Sequence, residues 1–201
     1  MTIPLSVLAD NIDPQRTVLL FGAGSSIPSG APTVQRLKQH FERVFGVHAA
    51  DYTLAEQSGM IEQATGDRAR LIEELRSQFR GLRPTGSLLN LPLYAWKSIF
   101  TTNYDELIED AFSRRGRPCR VFSSNFDFGI QPNLEAVPIF KLHGTIGKDV
   151  AFGDHSRIVL TESDYDLVQE FRETLFDRLR AELAGSHLII IGHSLADPDI
   201  K

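Results

Sequence analysis

Two uninterrupted apolar runs, each stopped by a glycine, constrain this chain more than any other feature. The first, Thr17-Val18-Leu19-Leu20-Phe21, ends at Gly22, and the second, His187-Leu188-Ile189-Ile190-Ile191, ends at Gly192. A run without polar alternation has no face to offer water, so each reads as a strand buried on both sides of a parallel sheet. Ser98-Ile99-Phe100-Thr101 and Val137-Pro138-Ile139-Phe140-Lys141-Leu142 read as two more strands, with Pro138 tolerable only near a strand start or at a bulge. Residues 157–160 read as a further short strand. Val34, Leu37, Phe41, Val44 and Phe45 recur with a helical period, and Leu71, Ile72, Leu75 and Phe79 form a similar face over residues 69–79. Residues 104–112 read as the helix after the Ser98 strand. Thr161-Glu162-Ser163-Asp164 has the form of a capping box opening a helix that runs to about Leu183. Strands alternating with helices predict an α/β chain with a parallel sheet and helices on both faces.

Composition removes several classes of function. The 201 residues suit one domain with a core of its own, 42% of them hydrophobic and 23% charged, as in ordinary globular proteins. A net charge of −5 argues against a domain that grips nucleic acid through its phosphates, so no direct nucleic-acid binding is expected. Arg114, Arg115, Arg117 and Arg120 are the best basic patch, and they read first as a solvated helix end and loop. No apolar run is long enough to span a bilayer, and Asp10 and Asp13 interrupt any signal-peptide pattern, so the expectation is a cytoplasmic protein with no membrane partner. Cys119 is the single cysteine and the six histidines lack ligand spacing, so no structural metal is expected.

Polar motifs follow the strand ends, where open α/β sheets bind ligands. Gly22-Ala23-Gly24-Ser25-Ser26, with Ser29-Gly30-Ala31-Pro32, is a loop whose glycines let backbone approach a phosphate and whose serines add donors. A plain strand-to-helix turn would need less of it. It has neither the Gly-Lys-Ser/Thr of a P-loop nor the third glycine spacing of a dehydrogenase fingerprint. Thr101-Thr102-Asn103-Tyr104-Asp105 offers polar side chains for a site, or an N-cap and a first-turn acid. His143, in Lys141-Leu142-His143-Gly144, is either a structural histidine or a general base that can also polarise a ribose hydroxyl. Gly192-His193-Ser194 places small and polar groups after the last strand, and Asp197 and Asp199 beyond them read as ligands or as caps of a next helix.

In this order the motifs resemble those of the sirtuin-like family. Gly22-Ala23-Gly24-Ser25 with Ser29-Gly30-Ala31-Pro32 is similar to the family's Gly-Ala-Gly-x-Ser…Gly-x-Pro loop. Thr102-Asn103-Tyr104-Asp105 is similar to Gln-Asn-Ile-Asp, His143-Gly144 to the catalytic His-Gly, and Gly192-His193-Ser194 to Gly-Thr-Ser. The resemblance runs from about Thr17 to Ile200 and implies a doubly wound, Rossmann-like NAD-binding fold. Two departures stand beside it. No cysteine lies between His143 and Gly192, so there is no zinc module with two Cys-x-x-Cys pairs, and Thr33-Val34-Gln35 replaces the Asp-Phe-Arg after the loop proline. The segments Phe100 to Asp105, Lys141 to Gly144 and Gly192-His193-Ser194 to Pro198 look instead like bacterial sirtuin-like NADases of anti-phage defence.

That resemblance implies an NAD hydrolase with NAD as substrate and no metal. Asn103 would position water, His143 would bind ribose hydroxyls and handle a proton, and Asp105 would contact the nicotinamide amide. The residues implied to hold the dinucleotide are Gly22, Ala23, Gly24, Ser25, Ser26, Pro32, Thr102, Asp105, Gly192, His193 and Ser194. Alternatives are an NAD-dependent deacylase or ADP-ribosyltransferase, and a non-catalytic module sensing NAD or ADP-ribose. Residues 1–201 are expected to form one such domain, the N-terminal part of a longer protein. It is expected to work as a homo-oligomer or with a HerA-type ATPase, an Argonaute-type protein or a sensor domain. Residues 48–66, less regular than their surroundings, and the stretch Phe122 to Phe128 are the candidate mobile or contact surfaces, the aromatics of the latter reading equally as core.

Overall fold

A computed structural model describes residues 4–48, 50–129, 135–149 and 153–195 of the chain. Among the described residues five strands form one parallel sheet: β1 (Thr17–Phe21), β2 (Ser98–Thr101), β3 (Cys119–Phe122), β4 (Val137–Lys141) and β5 (His187–Ile191). Their spatial order is β3-β4-β2-β1-β5. The chain moves to one side of β1 for β2, β3 and β4, then crosses to the other side for β5. Direction therefore reverses between β1 and β5, and their carboxyl ends flank the crevice where such sheets bind ligands.

Helix α1 (Leu5–Asp10) precedes the sheet, and α2 (Val34–Phe45), α3 (Leu54–Thr65) and α4 (Arg68–Ser77) lie between β1 and β2. Helix α5 (Leu107–Arg114) joins β2 to β3, while α6 (Glu162–Asp166) and α7 (Val168–Leu183) precede β5. Side chains alternate across the strands. Val18, Leu20, Phe100 and Phe140 meet Leu175, Phe176 and Leu179 of α7 on one face. Leu19, Phe21, Ile99 and Ile139 meet Leu107, Ile108 and Phe112 of α5 on the other. A third core joins α2, α3 and α4 to Ile146, Ile158 and Leu160 below the crevice.

The predicted strands and the α2 helix stand where the apolar patterns put them, and the doubly wound α/β architecture is as expected. Four details differ. Residues 158–160 are buried but not a strand, because the Val159 amide donates to the His143 carbonyl while those of Ile158 and Leu160 donate to the carboxylates of Asp149 and Asp164. The helix after β2 begins at Leu107 because the Asp105 carboxylate takes the Leu107 amide. The long helix after Thr161 is broken at Leu167 into α6 and α7. Finally, β5 is an edge strand, with Leu188 and Ile190 exposed among the described residues, and not the buried strand its composition predicts.

Two elements carry no apolar signature. Helix α3 occupies much of the stretch read as irregular, since its inward positions include Gln57 and Ser58 where apolar residues would be expected. Gln57 is buried because its amide nitrogen donates to the carbonyls of Lys38 and Val47. Strand β3 is short and only half-buried over most of its length.

Candidate active site

The parallel ladder runs on past the strand ends and brings the motifs together. The Thr102 amide donates to the Phe21 carbonyl at 3.2 Å and the Leu142 amide to the Thr101 carbonyl at 2.9 Å. On the other side of β1, the Gly22 amide donates to Ile191 at 3.0 Å and the Gly24 amide to Gly192 at 2.9 Å. Loops 22–32, 102–106, 142–147 and 192–195 thus share one end of the sheet.

Their polar side chains are buried and connected. Ser26, Asn103, Asp105 and His143 are 3%, 6%, 6% and 4% exposed, so water satisfies little of their hydrogen bonding. The Ser26 hydroxyl donates to Asp105 Oδ2 at 2.7 Å, and the Asn103 amide nitrogen donates to the Ser26 and Ser25 hydroxyls at 3.0 and 3.2 Å. Asp105 Oδ1 takes the Leu107 amide, so both oxygens of this carboxylate have partners within the protein. With its nitrogen committed, Asn103 keeps a buried carbonyl oxygen, Oδ1, that has no hydrogen-bond partner. Lone buried acceptors of this kind are costly and call for a ligand or water.

Two adjacent spaces border these groups. An inner chamber of about 200 Å³ is bordered by Ser26, Pro32, Asn103, Asp105, His143 and Tyr165. An outer cleft of about 720 Å³ is bordered by Gly22, Gly24, Glu56, Glu162, His193 and Ser194. Ala23 and Thr102 border both, while Gly192 borders the outer cleft alone. Ser25 borders neither; its hydroxyl donates to the Gly22 carbonyl and accepts from Asn103, which makes it a brace. Asp197 and Asp199 lie outside the described residues.

The glycines answer to a neighbour within the protein. A Cβ on Gly22 would stand 2.6 Å from His193 Cα, and one on Gly24 would stand 2.8 Å from the Gly192 carbonyl oxygen. The close approach that excludes a side chain is therefore that of loop 192–195 against the β1 loop.

Residues with no motif of their own hold the site in place. Lys141 is fully buried; its ammonium donates to the Asp105 carbonyl and pairs with Glu109 at 3.0 Å, fixing the 103–105 loop to α5. Below His143, Arg68 of α4 reaches Asp149 at 3.0 Å, Asp164 at 3.1 Å and the Ile158 carbonyl at 3.1 Å. Burial pushes the Asp164 carboxyl up, but Arg68 and the donors at Thr161 and Leu160 outweigh it and hold the group below its ordinary value. This clamp sets residues 157–165, which supply Val159 to the His143 carbonyl and to the Tyr104 hydroxyl.

Sequence reasoning missed the outer wall, built from Leu54, Glu56, Glu162 and Tyr165 of α3 and α6. The usable signal for α3 was Thr53-x-x-Glu56, a capping box in which Glu56 bonds back to the Thr53 amide. Of the aromatic stretch, Phe122 and Phe128 pack toward Phe140, whereas Phe126 is 67% exposed beside His155. Among the described residues no three histidine, cysteine or acidic side chains converge as a metal site, and no helix is long and apolar enough to cross a membrane.

A family described as the SIR2-like domain matches residues 97–201, more than half of the chain. A protein named NAD(+) hydrolase ThsA, from Cytobacillus dafuensis, is 30% identical over 115 residues, covering 57% of this chain and 21% of that relative. Another of the same name, from Enterococcus faecium, is 28% identical over 116 residues, 57% of this chain and 22% of its own. The chain thus aligns with about a fifth of the length of these curated relatives.

Proposed function

Because this chain belongs to the SIR2-like domain family, we propose that it hydrolyses NAD to nicotinamide and ADP-ribose. The observation that carries the reading is the Asn103 carbonyl oxygen, buried without a partner in a chamber it shares with His143. The naming of the two relatives as NAD(+) hydrolases supports it.

In this reading the outer cleft takes the ADP portion and the chamber takes the nicotinamide riboside. The pyrophosphate lies between Ala23 and the 192–194 loop, since the amides of Gly22, Gly24, Ser25 and Ser26 are already engaged within the protein. The bond between C1′ and the nicotinamide nitrogen breaks, and its electron pair leaves with nicotinamide, which departs neutral. The sugar left behind is an oxocarbenium-like cation. Water then bonds to C1′ and surrenders a proton. Asn103 Oδ1 accepts a hydrogen bond from that water and orients it, while the His143 ring accepts from a ribose hydroxyl and receives the proton. Asp105 acts through Ser26 and Asn103, since its oxygens are already engaged.

Nicotinamide and ADP-ribose released in equal amounts from NAD are the expected result. Asn103→Ala and His143→Ala are each expected to lower turnover about a hundredfold or more. Undiminished turnover in both variants overturns the assignment. We further propose that the chain serves anti-phage defence in the cytoplasm by depleting NAD, as an oligomer or in complex with a second protein. Turnover by a strictly monomeric, partner-free chain across dilution overturns that last part.

A further inference from the structure

The residues bordering both the chamber and the outer cleft are Ala23, Val34, Leu54, Thr102 and Tyr165, so they stand where the two spaces adjoin. Tyr165 is the one aromatic ring among these five. It stands 5.7 Å from the His143 ring and at 82° to it, so it lies beside the reacting end of the chamber. Its backbone is held firmly. Asp164 caps α6 through the Thr161 amide at 2.8 Å, and Arg68 and Arg157 each reach the Asp164 carboxylate at 3.1 Å. The backbone of Tyr165 is thus anchored at the residue before it.

We propose that Tyr165 selects the acceptor of the reaction: with the dinucleotide spanning both spaces, its ring covers the reacting sugar beside His143, so that water reaches C1′ and bulkier nucleophiles do not. The proposal rests on the NAD-cleaving reading. Hydrolysis and transfer begin with the same cleavage, in which the C1′–N pair leaves with nicotinamide. They part only in whether a water oxygen or an alcohol oxygen then bonds to C1′ and releases its proton. An aromatic ring suits the place, since its face also tolerates a neighbouring cation.

The test is the partition of NAD between ADP-ribose and its propyl riboside when the full chain reacts in aqueous propan-1-ol. Wild type and Tyr165→Phe are expected to give ADP-ribose almost alone, whereas Tyr165→Ala raises the propyl fraction on the order of tenfold. Should the alanine variant lose its cooperative melt, Tyr165→Val provides the same comparison. An unchanged partition in the truncated variant overturns the proposal, as does a Phe variant that shifts as far as Ala. Wild type that releases no nicotinamide overturns the cleavage reading itself, and with it this one; nicotinamide release with an unmoved partition overturns this one alone.

Discussion

The amide of Gly24 donates to the carbonyl of Gly192 at 2.9 Å, tying the loop after the first strand to the loop after the last. The bond requires backbone against backbone. A Cβ on Gly192 would stand 2.6 Å from the Gly24 carbonyl carbon and closer still to the Ser25 nitrogen, and Gly192 itself holds φ +66. The crevice between β1 and β5 therefore has a floor made of main chain, continuous with the loop that leads to Ser26.

Gly192 and Gly46 form a controlled pair for this interlock. Both have positive φ, +66 and +70, but nothing lies within 4 Å of a Cβ on Gly46. Gly46→Ala should cost about 1–2 kcal/mol, the left-handed penalty alone. Gly192→Ala should cost clearly more than that, with loss of NAD binding, as read by chemical denaturation and calorimetry. Equal costs for the two would show that the interlock contributes nothing.

Ser26 is the joint between Asn103 and Asp105. Ser26→Ala removes the nearer of the two acceptors for the Asn103 nitrogen and the donor to Asp105 Oδ2. Turnover should fall by about tenfold or more, because small misplacements of a positioned group are expensive in rate. The loss should appear in kcat more than in KM. A change confined to KM would place Ser26 in substrate binding only.

Arg68 makes acid stability a readout of the clamp. Asp164 titrates below its ordinary value of 3.8, so its contribution is complete above that pH and is lost as pH falls through the folded-state value. Arg68→Met raises that folded-state value, so the acid unfolding midpoint should move to higher pH. It should also destabilise the fold by about 3–5 kcal/mol near neutrality, since Asp149 stays buried without Arg68 and Asp164 keeps only Arg157. An acid midpoint identical to that of wild type, followed by circular dichroism, rules out the clamp.

Lys141 and Glu109 form a testable unit beneath the 103–105 loop. A double-mutant cycle with Lys141→Met and Glu109→Gln should give a coupling of about 0.5–3 kcal/mol. Lys141→Met should also lower turnover, because the Asp105 carbonyl loses its donor. Additive effects in the cycle would mean that the pair is not energetically linked.

Much of this protein is written locally. The apolar runs Thr17–Phe21 and Ser98–Thr101 specify buried strands because no alternation leaves them a wet face, and the period across Val34–Phe45 specifies a helix for the same reason. Motif order along the chain, with polar groups directly after strands, pointed to one end of a parallel sheet and to a family. What tertiary structure alone decided depends on strand order and register. Ser26 meets Asp105 across 79 residues because β1 and β2 pair in parallel, and no local period encodes that meeting. Asn103 became an unpartnered acceptor only when two distant serines took its nitrogen. The need for glycine at Gly22 and Gly24 was visible in the sequence, but the neighbour imposing it, the loop after β5, was not. Tyr165 and Glu56 reach the cleft from helices whose sequences show no ligand motif; they are placed there by buried polar bonds of Gln57 and Asp164, which apolar periodicity cannot register.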